Sequence, residues 1–426
     1  MALGGGTFTT QNKVLPGAYI NVISASGSVV TMGERGTVAL PIALNWGKSG
    51  VFTVTADEFQ KDSMKIFGYS YTADEMQSLR EVFKHAQKVQ VYNLNDNGGA
   101  AAKCTHATAK CAGTRGNNLK LVIQKNVDNS DKFDVTLYMG TSAVHQQTVA
   151  TAAELSENAF VTWQKSTALA VTAGMAFSGG TNGTCDAQSY QNALNAFESY
   201  TFNVLVCPDS ATYGTLYVEY TKRMRDKQGI KFQLVCVDVD ADYEGVISID
   251  AEQANTLYWV AGAQAGCAIN QSCTNKVYDG ELTIATPHTQ TELENSILSG
   301  VFAFHKVDDE VRVLMDINTL VTYTDEKDST FAHNQKIRVA DQKHNDVKRV
   351  FNKKYLGKIQ NDSDGRASFW GDVVKLCEGY AQMRAIEPYD SKTLTVELGD
   401  KPESVVVRDA MRIIGTMEQL YMTIVC

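Results

Sequence analysis

Residues 316–366 read DINTLVTYTDEKDSTFAHNQKIRVADQKHNDVKRVFNKKYLGKIQNDSDGR, and the rest of the chain is organised around them. A strand-like run (residues 311–317) leads in, a polar loop follows, and the pattern then turns helical and dense in Lys and Arg. Between Lys336 and Arg366 stand nine cations (Lys336, Arg338, Lys343, Lys348, Arg349, Lys353, Lys354, Lys358 and Arg366) against four carboxylates (Asp341, Asp346, Asp362 and Asp364). The segment is net +5 in a chain of net −9, so everything else carries −14. Such asymmetry speaks about partners rather than fold.

Working outward, 426 residues suffice for roughly two to four domains with real cores. The 20% charged content and six prolines fit a globular chain, not a disordered or fibrous one. No run approaches the roughly 18–20 apolar residues of a membrane helix, and the N-terminus lacks the apolar centre of a targeting signal. The expectation is assembly in the cytoplasm without membrane insertion. The nine cysteines are scattered, with no CxxC pair, and read as small buried hydrophobes in a reducing compartment.

In chain order, residues 1–17 form a glycine-rich arm and residues 18–23 a short strand. Residues 36–55 read as strands and turns. Thr72 and Glu75 have the spacing of a capping box ahead of a helix whose Met76, Leu79, Phe83 and Ala86 share one face. A buried strand follows at 89–94. From 95 to 180 short alternating runs, including 119–124 and 133–138, are separated by Gly-, Thr- and Asn-rich turns, which predicts an inserted β-sandwich. Residues 184–305 then alternate helix and strand. A helix capped by Asp186 puts Tyr190, Ala193, Leu194, Phe197 and Tyr200 on one stripe. Strands at 203–207, 232–237 and 301–305 are interleaved with helices near 212–228 and 252–262 and one starting at Thr289. Apolar strands spaced by helices predict a mostly parallel sheet covered on both faces. After the basic helices come strand patterns at 393–398 and 405–408. Finally, residues 417–426 place Leu420, Met422 and Ile424 on one face and Gln419, Tyr421, Thr423 and Val425 on the other. A strand with both faces half apolar needs a sheet edge to pair with.

Catalytic and metal chemistry finds little support. Gly140-Thr-Ser142-Ala143 echoes a serine-protease nucleophile motif, but Ser142 precedes the α/β sheet and most of the histidines, the wrong order for an Asp, His, Ser triad. Asp238, Asp240 and Asp242 imitate a calcium loop, yet the required Gly falls at Tyr243 and the bidentate Glu at Ile249. Cys104, His106 and Cys111 lack a fourth zinc ligand. No GxxxxGK[ST] or strand-borne GxGxxG is present, so no nucleotide or other cofactor is expected. The basic run has three readings: a solvated helical face, a nucleic-acid surface or a surface for an acidic protein. Overall acidity and the lack of interleaved aromatics argue against nucleic acid.

The pattern D-I-N-T-L, K-I-R-V-x-D, N-D-V, Y-L-G-K-I-x-N and G-R across residues 316–366 resembles the C-terminal domain of contractile-tail sheath proteins of phages and phage-tail-like bacteriocins. The PGAYI run at 16–20, AGTRGNNLKLVI at 112–123 and LYWVAGAQAG from 257 are similar to that family too. The resemblance implies a subtilisin-like α/β sheath domain (24–94 and 181–320), an inserted outer β-sandwich (95–180), an inner, tube-facing α+β C-terminal domain (321–416), and linking arms at 1–23 and 417–426. It implies a non-enzymatic homo-oligomer, stacked as six-fold rings around an inner tail tube protein and meeting baseplate and tail terminator proteins. Arm contacts would fall on Tyr19, Ile20, Val22, Leu420, Tyr421, Met422, Thr423 and Ile424. Tube-facing cations would come from Lys343, Lys348, Arg349, Lys353, Lys354 and Lys358. The competing readings are a cytosolic α/β enzyme with an unrecognised site and a static surface-array subunit.

Overall fold

The computed structural model describes residues 4–6, 17–19 and 32–425, the first two stretches by their backbone alone. Those two stretches, Gly4–Gly6 and Gly17–Tyr19, pair in parallel. The remainder builds three regions in chain order.

The first region opens with β1 (Thr37–Ile42), β2 (Val51–Thr55), α1 (Ala56–Phe67), α2 (Gln77–Phe83) and β3 (Lys88–Asn93). The β-rich insert follows, with β4 (Leu119–Lys125), β5 (Phe133–Met139), β6 (Ser142–Val149) and β7 (Thr172–Ala176). The chain then returns through α3 (Ala187–Phe197), β8 (Val204–Val206), α4 (Ser210–Lys222), β9 (Gln233–Val237), β10 (Val246–Ile249), α5 (Leu257–Gly266), α6 (Gln290–Leu298) and β11 (Val301–Phe302). A hairpin of β12 (Phe304–Val307) and β13 (Glu310–Val313) leads to the C-terminal region. That region contains α7 (Asn334–Val350), α8 (Ser363–Gln382), β14 (Thr395–Leu398) and β15 (Val405–Arg408).

The central sheet runs β11-β10-β9-β8-β1-β3-β2, parallel throughout except for β2 at one edge. Its strands alternate between two cores, as period two requires. Val38, Leu40, Val204, Val206, Val235, Ile247 and Ile249 face the core shared with α1, α2 and α5. Ala39, Leu205, Leu234, Cys236 and Val246 face the other, shared with α3 and α4. Burial on both faces gives these strands their continuous apolar character.

The insert is a four-stranded antiparallel sheet, β7-β4-β5-β6, with a short pair of strands, Ala107–Ala109 and Val161–Trp163, over it. Leu119, Leu121, Ile123, Val135, Leu137 and Met139 alternate inward, and Trp46 reaches into the same core from the central region. The predicted β-sandwich character is found.

Four expectations are corrected. Helix α1, absent from the reading of residues 36–55 and beyond, is capped by Thr55 and Glu58 in a full capping box. The predicted box at Thr72 and Glu75 does not form. Ala73, with no side-chain cap, opens a short 3₁₀ turn, and Arg80 donates to the carbonyls of Tyr71 and Ala73 while Glu281 holds its guanidinium. The helical face itself is right, with Met76, Leu79 and Ala86 buried. Strand β10 was missed. Its length of four residues and its flanking acidic turns hide it from a pattern search. The run at 301–305 is broken at Ala303, so β11 joins the sheet while β12 turns into the hairpin.

Candidate assembly interface

The C-terminal region is bolted to the central sheet by buried charge. Asp316 and Arg338 are each about 1% exposed and pair at 2.7 Å. Asp316 also accepts from Gln264 of α5 (2.6 Å), Asn334 of α7 (2.9 Å) and the Cys273 backbone N–H (2.9 Å). Burial alone would raise its carboxyl, but the Arg338 guanidinium and these donors overcome that and hold it below the ordinary value. A second bolt joins Arg225 after α4 to Asp341 of α7 through two hydrogen bonds of 2.5 and 3.0 Å, with Glu244 nearby at 4.0 Å. A third reaches the N-terminal side. Asp346 of α7 accepts from the Gly33 backbone N–H (2.9 Å) and from Tyr380 Oη (2.5 Å), and pairs with Arg349 (2.9 Å).

This placement changes the meaning of the basic run. Arg338, Lys343 and Lys354 are each matched to a carboxylate outside it: Asp316, Asp409 and Asp372. Lys343 is thereby removed from the face the run was expected to present. Lys348 leans on the Gly229 carbonyl at 3.1 Å. Lys353 and Lys358 are exposed, Lys358 donating to the Lys353 carbonyl, and they flank Leu356 at 59% exposure and Ile359 at 50%. One signal of the buried bolts was present in the sequence: polar residues 335, 338, 342 and 346 recur at helical spacing and fall on the inward face of α7.

The C-terminal tail behaves differently. After the β14–β15 hairpin, residues 412–414 pair back onto 385–387. Gln335 then holds the Ile414 carbonyl and the Thr416 N–H. Glu418 is the last root, on Thr274 at 3.0 Å and beside His333 at 3.6 Å. Beyond it, among the described residues, the sole side-chain hydrogen bond is local, Tyr421 to Gln419. Leu420 (84%), Tyr421 (87%), Met422 (69%) and Ile424 (72%) stand exposed, as does Thr423. The expected strand is not formed over 417–425. A single strand without an edge to pair with gains no ladder hydrogen bonds. At the other end Tyr19 lies in the Gly17–Tyr19 strand, while Ile20 and Val22 fall outside the described residues.

The catalytic and metal echoes do not converge. Ser142 opens the exposed strand β6, far in topology from the central sheet. Asp242 accepts from the Val321 and Thr322 N–H groups, so it fastens a loop. No group of three His, Cys, Asp or Glu side chains able to hold a metal occurs among the described residues.

Comparison with known proteins follows this layout. Four family models match in succession: the tail sheath protein Gp18 domain III N-terminal region (35–94), the phage tail sheath β-sandwich domain (96–182), the phage tail sheath central domain (183–319) and the phage tail sheath C-terminal domain (326–426). The chain is 30% identical to phage-like element PBSX protein XkdK of Bacillus subtilis, across 99% of both chains. It is also 33% identical to the crystallised sheath tail protein of Desulfitobacterium hafniense, with a TM-score of 0.80 over 95% of this chain and 99% of that one. At 12% identity and a TM-score of 0.56, it shares its fold alone with the contracted helical sheath of the anti-feeding prophage, over 97% of this chain and 99% of that one. The chain belongs to the phage tail sheath protein family and is a structural subunit of a tail sheath.

Proposed function

We propose that this subunit polymerises head-to-tail by lending its tail to the sheet edge of a neighbour. The observation that carries this reading is the run of exposed apolar residues past Glu418, rooted firmly and without a strand partner among the described residues. Adding a strand to an open edge supplies many backbone hydrogen bonds without a deep pocket. The two-stranded β14–β15 hairpin is the acceptor, with Leu398, Val406 and Val407 exposed on it. Because donor and acceptor differ, the contact is heterologous and propagates into stacked rings or helices.

In this reading the arms are residues 1–23 and 417–426, and the rings are six-fold. The subtilisin-like α/β layer (24–94 and 181–320) lies between an outer β-sandwich (95–180) and an inner C-terminal domain (321–416). The cations still exposed, Lys348, Lys353 and Lys358, face the inner tail tube protein, and baseplate and tail terminator proteins cap the ends. Assembly takes place in the host bacterial cytoplasm, and the finished sheath is part of the released tail. The extended array is a kinetic trap, and rotation of one ring into a lower-energy packing pulls the next through the arms. Conformational energy thus replaces nucleotide hydrolysis and drives the tube through a cell envelope.

Removing residues 417–426 tests this. The truncated chain is expected to remain folded and soluble by circular dichroism and gel filtration, and to form no long tubes. Tubes as long as those of the full chain would refute the strand-lending scheme.

A further inference from the structure

Two cysteines have no part in the sheath role and are set against each other. Cys267 caps the C-terminal end of α5 and Cys273 follows after a loop of five residues. Both converge on one carbonyl, that of Ala263, which accepts the Cys267 backbone N–H at 2.9 Å and the Cys273 thiol at 3.9 Å. The Cys267 thiol itself donates to the Gln271 carbonyl at 3.5 Å, within the loop that joins the two cysteines. Cys273 is fully buried, whereas Cys267 is half-buried and lines a surface groove of about 320 Å³ with His85, Gln271, Ser272 and Lys276. The surroundings are cationic on two sides. Arg35 donates to the Cys267 carbonyl at 3.2 Å and Arg338 to the Gln271 carbonyl at 2.9 Å, with the Asp316 carboxylate behind them.

We propose that Cys267 and Cys273 are a peroxide-reactive dithiol, with Cys267 the attacking and Cys273 the resolving sulfur. The neighbouring Cys273 holds the Cys267 thiol below its ordinary value, against the upward push of burial and with the two guanidiniums assisting; Cys273 is pushed up in turn. Hydrogen peroxide enters by the groove. The Cys267 thiolate attacks one oxygen, the O–O bond breaks, and with one proton the leaving hydroxide departs as water, leaving a sulfenic acid. The Cys273 sulfur then attacks the Cys267 sulfur, its proton going to the departing hydroxyl as a second water. Two thiols are oxidised by two electrons to one disulfide, and one peroxide is reduced to two waters. The bond would brace the segment carrying Ser272 and Thr274, which roots the tail through Glu418 at 3.5 and 3.0 Å. The inference is independent of how the tail pairs.

The test is competitive alkylation of the folded full-length chain with iodoacetamide at neutral pH, read by peptide mass spectrometry, followed by hydrogen peroxide. Cys185 is the internal control, being more exposed than Cys267 but with its thiol raised by burial. Cys267 is expected to label about ten-fold faster than Cys185, the larger thiolate fraction outweighing its lower nucleophilicity. Peroxide is expected to yield a peptide linked between 267 and 273, two hydrogens lighter. Cys273→Ser should instead stop at a sulfenic acid on Cys267 that dimedone traps, and Cys267→Ser should abolish both products. Labelling of Cys267 no faster than Cys185, or both thiols left free by peroxide in the unmodified chain, overturns the proposal whether or not the variants fold.

Discussion

The seam around Asp316, which joins the C-terminal helices to the central sheet, and the tail past Glu418 are built on opposite rules. At the seam the charges are buried and paired: a carboxylate and a guanidinium, each about 1% exposed, with Gln264 of α5, Asn334 of α7 and the Cys273 N–H adding four further hydrogen bonds. In the tail, apolar side chains stand exposed: Leu420, Tyr421, Met422 and Ile424 among the described residues. The seam makes the central sheet and the C-terminal helices one body. The tail leaves that body with an unfilled demand for a partner. The proposed strand lending would draw on both, a body that holds together and a tail free to reach a neighbour.

The sharpest way to break the comparison is at the seam. Arg338→Met strands Asp316 as an uncompensated buried charge and is expected to cost about 3–5 kcal/mol in denaturant unfolding. Combining it with Asp316→Leu should recover much of that loss, because removing both charges also removes the desolvation penalty. A cost below about 1 kcal/mol for the single change would mean that the seam does not weld the two regions.

The same pair sets an acid limit. The folded-state value of Asp316 is depressed, so its contribution is fully present above the unfolded carboxylate value of about 3.9 and is lost as pH falls through the lower folded value. Stability attributable to Asp316, measured against Asp316→Asn, should be flat above about pH 5 and shrink below about pH 4. A difference that grows on acidification would reverse the sign of this account.

A smaller effect is expected at the caps, where the tetrapeptide Thr-Ala-Asp-Glu occurs twice. At Thr55 it closes a capping box on α1; at Thr72 the same letters do not. Thr55→Ala should cost about 1 kcal/mol, and Thr72→Ala about 0.5 kcal/mol or less. Equal losses would mean that the second box does form in solution. At the bottom of the scale, replacing Leu420, Met422 and Ile424 together with Ser should change unfolding of the isolated subunit by about 0.5 kcal/mol or less, while abolishing long tubes.

Those paired tetrapeptides also mark where sequence reading stops. Alternation and capping located the parallel sheet, the β insert, the Asp186 and Thr289 helix starts and the terminal hairpin, because each is a local signal matched to a local structure. The choice between two identical caps was made elsewhere, by Arg80 seizing the carbonyls ahead of α2 with Glu281 two hundred residues away behind it. The basic run was legible as charge but not as geometry. Its Arg338, Lys343 and Lys354 are neutralised by Asp316, Asp409 and Asp372, pairings that depend on how distant segments return. The tail was legible as a strand in need of an edge, and among the described residues of the single chain it forms no strand. The Cys267–Cys273 pair was read as two of nine scattered hydrophobes, because a loop of five residues does not announce that both ends meet one carbonyl.

The most direct measurement is electron cryomicroscopy of tubes assembled from the full-length chain, at a resolution that traces residues 417–426. The account predicts that Leu420, Met422 and Ile424 lie in a strand hydrogen-bonded to the 395–408 hairpin of another subunit, while the Asp316–Arg338 pair stays intact within each. A tail folded back on its own subunit, or hanging unpaired in an otherwise regular tube, would contradict it.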